Sequence, residues 1–352
     1  MTISDFFVNL RYAFRPRKPI LTARLAQAFI RSKVFRRPPL RYVDFSIGDA
    51  CNLKCAHCFA TALVDDKRPR MTPSDYARVS KESMALGAVN FSFQGGEPLV
   101  IKELPEIIAA CSPNKNLISV TTNGTLLDEK RIAGLKKSGV DILTVSLDSS
   151  IPEEHDEFRG MKGAFQKALD GIKLARKSGI NVTIGAVVTH STLRSEGITG
   201  LLRLADEMKI ILNVIFPVPA GRWSGDDGGM LLTKEDLEYV EYITGRSRYV
   251  RTDFQANLGP RGCGAAKEIL YITPYGDVLA CPFIHIAFGN IFVDSVKTIR
   301  ARALSNPYFG QYAPDCLAST DEEFVRKYIV GKTLKAARLP MSADDAFGRD
   351  KK

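Results

Sequence analysis

The chain has 352 residues, 45% of them hydrophobic and 25% charged, enough apolar content to exclude disorder over most of its length. No stretch approaches the roughly 20 unbroken apolar residues of a membrane span. The first thirty residues lack the apolar core and cleavage site of a signal peptide, so a cytoplasmic location is expected. The net charge is +10, and residues 1–40 hold most of it. Nine cations (Arg11, Arg15, Arg17, Lys18, Arg24, Arg31, Lys33, Arg36, Arg37) stand there against Asp5, giving +8 and leaving +2 for the rest. The body is nearly neutral, which argues against a general nucleic-acid-binding surface.

In chain order, the basic arm carries Phe6, Phe7, Leu10 and Phe14 at helical spacing, then Leu21, Leu25, Phe29 and Val34, ahead of Pro38-Pro39. Apolar runs then predict strands at Tyr42–Ile47, Val89–Phe93, Leu117–Thr121, Ile142–Leu147, Val182–Val188 and Ile210–Phe216. Helical periodicity between them predicts helices at Pro73–Leu86, Ile101–Cys111, Leu127–Ser138, Ala164–Ser178 and Leu193–Met208. Thr72-Pro73 reads as a helix start, and Gly139 and Gly179 as helix stops. Strand–helix alternation of this kind predicts an α/β protein with a parallel sheet whose strands are buried on both faces. After Phe216 a Pro- and Gly-rich connection leads to a helix at Thr233–Thr244. A hairpin follows, at Ile269–Thr273 and Val278–Ala280, turning through Pro274-Tyr275-Gly276-Asp277. Helices are expected near Ser295–Leu304 and Asp321–Ile329, and the last twenty residues read as a polar, frayed tail. The expected divisions are an arm over 1–40, a barrel domain over 41–230, a small domain over 231–335 and a tail over 336–352.

Seven cysteines at 51, 55, 58, 111, 263, 281 and 316 are an odd number in a chain expected to be cytoplasmic, which argues against a disulfide framework. Cys51, Cys55 and Cys58 fall within eight residues directly after the first predicted strand. Three thiolates on one loop can hold three irons of a [4Fe–4S] cube and leave the fourth iron open. The alternatives are a tetrahedral zinc site that recruits His57 and buried inert thiols. Cys111 closes a predicted helix and reads as a small buried residue.

The C-x3-C-x2-C spacing resembles the signature of the radical S-adenosylmethionine superfamily. Further segments stand in that family's order, each at the end of a predicted strand: Gln94-Gly95-Gly96-Glu97-Pro98, Thr121-Thr122-Asn123-Gly124, Ser146-Leu147-Asp148 and, beyond the last, Arg159. The resemblance implies a partial (β/α)6 TIM-like barrel with its site at the carboxyl ends of the strands. It implies that the open iron chelates S-adenosylmethionine and that an electron from the cluster releases a 5′-deoxyadenosyl radical. It also implies that Gly95, Gly96 and Glu97 meet the methionine amine, that Thr122 and Asn123 line the pocket, that Ser146 belongs to a segment making a polar contact to ribose or methionine, and that Arg159 captures the methionine carboxylate. An electron donor such as flavodoxin or ferredoxin is implied with them. His155 and Asp156 read as loop-shaping residues, and Trp223 as either a pocket floor or a packed aromatic.

Cys263, Cys281 and Cys316, with the hairpin between the first two, resemble the opening of the SPASM or twitch domains that hold auxiliary iron–sulfur clusters. A full SPASM domain needs more cysteines than these three. One auxiliary [4Fe–4S] cluster is therefore expected, its fourth iron open or held by Asp277, His285 or Asp315. Pro217-Val-Pro-Ala-Gly-Arg222 and Gly289-Asn290-Ile291 resemble connecting segments of the same group. The expected reaction is hydrogen abstraction from a substrate carbon, the substrate being a peptide or protein. The other possibilities are a small metabolite, a cofactor or a membrane-associated lipid, and, from a different class, a non-enzymatic iron–sulfur electron carrier. For the arm, three readings stand: helices packed on the barrel with arginines in solvent, contact with an anionic membrane surface, or contact with a partner protein.

Overall fold

A computed structural model describes residues 11–12, 14–33, 39–223, 229–253 and 262–348. Phe6, Phe7, Leu10, Val34, Arg36 and Arg37 lie outside the described residues. The centre of the molecule is a run of parallel strands: β1 (Tyr42–Ser46), β2 (Asn90–Gln94), β3 (Leu117–Thr122), β4 (Ile142–Ser146), β5 (Asn181–Val187) and β6 (Ile211–Ile215). All six lie within a residue or so of their expected positions. Phe45, Phe91 and Phe93 stack across β1 and β2 with ring centroids about 6 Å apart, and Tyr76 meets Phe45 edge-on at 5.1 Å. These rings are fully buried, as the continuous apolar runs require.

The sheet does not close. The outer neighbour of β6 is β7 (Val250–Thr252), and that of β1 is β8 (Ile269–Ile272), so β1 and β6 never meet. The architecture is an open, partial barrel. β8 joins β1 in parallel and turns through Gly276, at φ +81°, into antiparallel β9 (Asp277–Leu279). Beyond β9 come β10 (Ile286–Asn290) and β11 (Met341–Ser342), giving one sheet of eleven strands. The C-terminal hairpin therefore extends the edge of the sheet that carries β1.

The helices whose full span is described include α1 (Pro19–Lys33), α2 (Pro73–Ala85), α3 (Leu104–Ala110), α4 (Glu129–Ser138), α5 (Pro152–Arg159), α6 (Ala164–Lys177), α7 (Glu196–Met208) and α8 (Lys234–Arg246). Thr72 and Asp75 form a reciprocal capping box at the start of α2, and Gly139 ends α4 in the left-handed region at φ +91°. α5 was not expected. Its polar sequence Glu153–Glu157 reads as a loop, but Pro152 at its first position and left-handed Gly160 after its last bracket two turns. The C-terminal tail corrects a second expectation. Residues 341–347 form β11 and a short helix, with Ala346 fully buried and the Phe347 ring 4.8 Å from Tyr328. Strand pairing with β10, the buried Ala346 and the Phe347 ring together fasten the tail.

The arm packs beneath the amino ends of the strands. Leu21 and Leu25 of α1 meet Val89 and Leu117. The Tyr12 hydroxyl donates to the Val182 carbonyl at 2.8 Å and accepts from the Ile211 amide at 3.3 Å. Several cations turn inward, contrary to the solvent placement expected of a packed arm. Lys18 and Arg15 both reach Asp141, at 2.5 and 3.1 Å, and Arg24 donates to the carbonyls of Ala88 and Lys115. The reason is that strand starts and helix ends leave carbonyls and one carboxylate at this end of the barrel, and buried acceptors need donors.

Candidate active site

The loop that carries Cys51, Cys55 and Cys58 crosses the carboxyl ends of the strands, and four neighbouring segments hold it. Below it runs Gly95-Gly96. The Gly96 amide donates to the Gly48 carbonyl and the Glu97 amide to that of Ala50, both at 2.8 Å. A Cβ on Gly95 would lie 2.3 Å from the Gly48 oxygen, and one on Gly96 would lie 2.3 Å from that of Ala50. The glycines thus let one loop backbone rest on another.

Glu97 is buried. Its carboxylate accepts from the Leu99 amide at 3.0 Å, the Thr122 hydroxyl at 2.7 Å and the Asn123 amide at 2.7 Å. Burial pushes its pKa up, opposed by these donors and by Arg159. Asn123 extends the network upward, donating through Nδ2 to Asn52 Oδ1 at 2.9 Å, while Asn52 donates to the Thr125 hydroxyl at 2.8 Å. The end of β3 is thereby tied to the residue after Cys51.

Arg159 stands on the last turn of α5 and is buried. Its Nε donates to Asp148 Oδ2 at 2.6 Å, and one terminal nitrogen lies 3.8 Å from the Cys55 sulphur. Asp148 also accepts from the Val187 amide at 3.1 Å. Burial opposes its charge, but Arg159 and the nearby histidines hold its pKa below the usual value. The loop-shaping roles expected for the next pair are seen: His155 Nδ1 accepts from the Asp148 amide at 3.2 Å, and Asp156 accepts from the amides of Gly163 and Phe165. Ser146 ends β4, half-buried and level with Gly185 of β5.

His57 lies between two of the cysteines and stacks on Phe158, centroids 4.3 Å apart and planes 7° from parallel, with Trp223 at 5.6 Å. Trp223 is therefore part of an aromatic group beside the cysteine loop. Arg222 donates from Nη1 to the Cys55 carbonyl and from its amide to the Cys58 carbonyl, both at 3.1 Å. A Cβ on Gly221 would sit 2.1 Å from the Cys58 oxygen.

These residues fit a cluster. The three thiols share one loop, and Cys51 and Cys55 each feel the charge of Cys58. Among the described residues no three His, Cys, Asp or Glu side chains converge as a single ion would require. Thiolates around a cluster bind separate irons and so stand farther apart.

The fold also gathers Cys263, Cys281 and Cys316, although 53 positions separate the first from the last. Each lies within electrostatic reach of the others. Burial is the largest influence on all three and pushes Cys281 up to about 12. Of the three non-cysteine groups weighed beside them, Asp277 is engaged elsewhere, paired with Arg68 at 2.5 Å and bonded by Asn290 at 2.9 Å. His285 is buried with Nε2 unpartnered among the described residues, and Asp315 is exposed. Sequence reading missed Asp253. It follows β7, on the far edge of the sheet, and its charge acts on all three thiols. Only the pairing of β6 with β7 brings it there, so sequence spacing carried no signal of it. Asp44 was missed as well. It is a buried carboxyl in the middle of β1 whose pKa burial pushes up to about 7, against hydrogen bonds from Ser92, Tyr42 and Gln94.

The family model for the Radical SAM superfamily matches residues 45–196, which span the cysteine loop and the segments at the ends of β2, β3 and β4 through Arg159. The chain carries a radical SAM superfamily domain. It is an enzyme of that class, which implies a [4Fe–4S] cluster and S-adenosylmethionine. The chain is 26% identical to an AdoMet-dependent heme synthase from Methanosarcina barkeri, covering 71% of this chain and 79% of that one. It is 28% identical to a PqqA peptide cyclase from Granulibacter bethesdensis, covering 77% and 74%. In fold it resembles Streptococcus suis SuiB bound to the precursor peptide SuiA, with a TM-score of 0.60, 22% identity and coverage of 81% of this chain and 69% of that one. It also resembles anSMEcpe with bound AdoMet and a peptide, with a TM-score of 0.57, 20% identity and coverage of 74% and 80%. No helix among the described residues is long and apolar enough to cross a membrane.

Proposed function

We propose that this radical SAM enzyme modifies a peptide, with Cys51, Cys55 and Cys58 holding the cluster that cleaves S-adenosylmethionine and Cys263, Cys281 and Cys316 holding one auxiliary cluster. The gathering of those last three cysteines, distant in sequence, is the observation that carries this reading. A bound cluster supplies the electron that splits the sulfonium. The protein's part is to position and to exclude water. Arg222 and Asn123 fix the cysteine loop, Arg159 directs positive charge at the Cys55 sulphur, and the His57–Phe158–Trp223 group offers an apolar wall beside it. Gly95, Gly96, Glu97, Thr122, Asn123, Ser146 and Arg159 are the proposed S-adenosylmethionine site. Glu97 and Arg159 already have internal partners, so we assign them to shaping the pocket as well as to contact. The peptide cyclase relative supports a peptide substrate. The heme synthase relative favours a second reading, a tetrapyrrole-like small molecule. Flavodoxin or ferredoxin is the proposed electron donor, and Asp253 a carboxylate whose charge acts on all three auxiliary thiols.

The test is iron analysis and deuterium transfer. Replacing Cys51, Cys55 and Cys58 by Ala should remove about four irons and abolish 5′-deoxyadenosine formation. Replacing any of Cys263, Cys281 and Cys316 should lower iron by up to four and leave the first cluster's spectrum intact. Wild-type protein that holds a single cluster would exclude the auxiliary site. Deuterium moving into 5′-deoxyadenosine from a labelled tetrapyrrole, and from no peptide, would overturn the peptide reading.

A further inference from the structure

The amino ends of the strands, opposite the cysteine loop, carry a chemistry the radical reaction does not use. A cavity of about 430 Å³ opens there, lined by Arg11, Tyr12, Lys173, Arg176, Lys177 and Asn181 among others, and none of its lining residues is acidic. The helix ends and turns leading into β3, β4, β5, β6 and β7 all carry exposed or half-exposed cations, from Lys115 through Lys136 and Arg176 to Lys209 and Arg248. Several of them offset helix C-terminal dipoles. That local role explains their position but not the apolar side chains beside them. Phe14, Ile20, Phe29 and Ile30 stand 46–56% exposed on the arm, whose helix α1 has no acidic residue. The helix is fastened from within by Leu21, Leu25 and Arg24, so Ile30 points away from that face, Ile20 and Phe29 flank it on either side, and Phe14 precedes the helix.

Exposed aromatic and aliphatic side chains within a basic surface fit the acyl–headgroup boundary of an anionic bilayer. We propose that this end of the molecule docks on such a bilayer, with Phe14, Ile20, Phe29 and Ile30 entering the interface and the Arg11–Arg176 cavity receiving an anionic lipid headgroup. Charge complementarity selects this occupant: a second copy of the chain would set basic surface against basic surface. The geometry has a consequence. Strands of five residues span about 16 Å, and the cysteine loop lies at their other end. The docked enzyme therefore turns its reactive face to water, and the lipid it binds is a tether, not the substrate.

The experiment uses the full-length, cluster-loaded protein and sedimentation with vesicles of phosphatidylcholine alone or mixed with phosphatidylglycerol. Sedimentation should require phosphatidylglycerol and disappear as salt rises from about 50 to 500 mM, where screening is strong. Charge reversal at Arg176 and Lys177 together should weaken binding by at least roughly 25-fold, about fivefold for each cation removed. Replacing Phe14, Phe29 and Ile30 by Ser should abolish binding at low salt. Both variants should form 5′-deoxyadenosine at the wild-type rate in solution. Equal sedimentation with both vesicle types, or none with either, overturns the proposal. These wild-type outcomes decide it even where a variant folds poorly. Sedimentation unchanged in folded variants overturns it as well.

Discussion

Glu97 and Asp44 are two buried carboxyls with opposite surroundings. Three donors from two strand ends surround Glu97, so its charge is held in place. Glu97→Gln sets an amide donor against at least one of those donors. We expect a loss of about 1–3 kcal/mol, read as a lower melting temperature together with weaker S-adenosylmethionine binding. Weaker binding with an unchanged melting temperature would assign Glu97 to ligand contact alone. Asp44 binds its proton more tightly in the folded chain, with a pKa of about 7 against 3.8. A raised folded value means that the protonated form stabilises the fold. That stability is fully present below about pH 4 and is lost as pH rises through about 7, a change on the order of 4 kcal/mol. Asp44→Asn should flatten this dependence, as urea denaturation at pH 5 and pH 8 would show. The same slope in the variant would place the titration elsewhere.

Elements here are set by their termini as much as by their middles. The capping box of α2, left-handed Gly139 after α4 and left-handed Gly160 after α5 put each following segment at the right height on the sheet. At Gly160 the placement is tight, for a Cβ there would lie 2.9 Å from the Lys54 oxygen. The sharpest case is the loop after β2. An added methyl at Gly96 meets the backbone oxygens of Ala50 and Asp49 at 2.3 and 2.6 Å, and neither can give way without moving Cys51. Gly96→Ala is expected to cost about 1–3 kcal/mol and to lower iron content at the first cluster. Gly134→Ala, inside α4 with nothing within 4 Å, is the control and should raise stability by about 0.5–1 kcal/mol. Normal iron content in Gly96→Ala would show that the cysteine loop can shift without penalty.

At the scale of the whole molecule, the arm closes the base of the barrel. Asp141 is nearly buried and shares two cations, Arg15 and Lys18, while its Oδ2 also accepts from the Ile118 amide at 2.9 Å. Removing one partner of a buried pair leaves a charge uncompensated. Lys18→Met should therefore cost about 2–3 kcal/mol, and the Lys18→Met/Asp141→Asn double variant should recover part of that loss, as a double-mutant cycle in denaturant would reveal. Additive losses would mean that the two groups do not interact. The same pairing predicts that deleting residues 1–33 lowers the melting temperature as well as removing any surface for a membrane.

The cysteine spacing, the strand-end motifs and the apolar runs were local patterns, and local patterns are what a sequence displays. From them alone came the order of six strands and their helices, the radical SAM resemblance and the position of the site at the carboxyl ends. The partial barrel came with the resemblance, but the strands that extend it were not legible, because they depend on which strands pair with the outer edges of β1 and β6. The inward turn of Lys18 and Arg24 was hidden for a related reason: their partners Asp141 and Ala88 lie 123 and 64 positions away. Phe347, one aromatic residue near the end of a polar tail, gave no periodic signal. Asp253 acts on Cys263, Cys281 and Cys316 together because the fold gathers the three thiols near the end of β7. Sequence determined which groups could do the chemistry. Tertiary structure decided which of them meet, because burial and charge pairing act across distances that no spacing along the chain encodes.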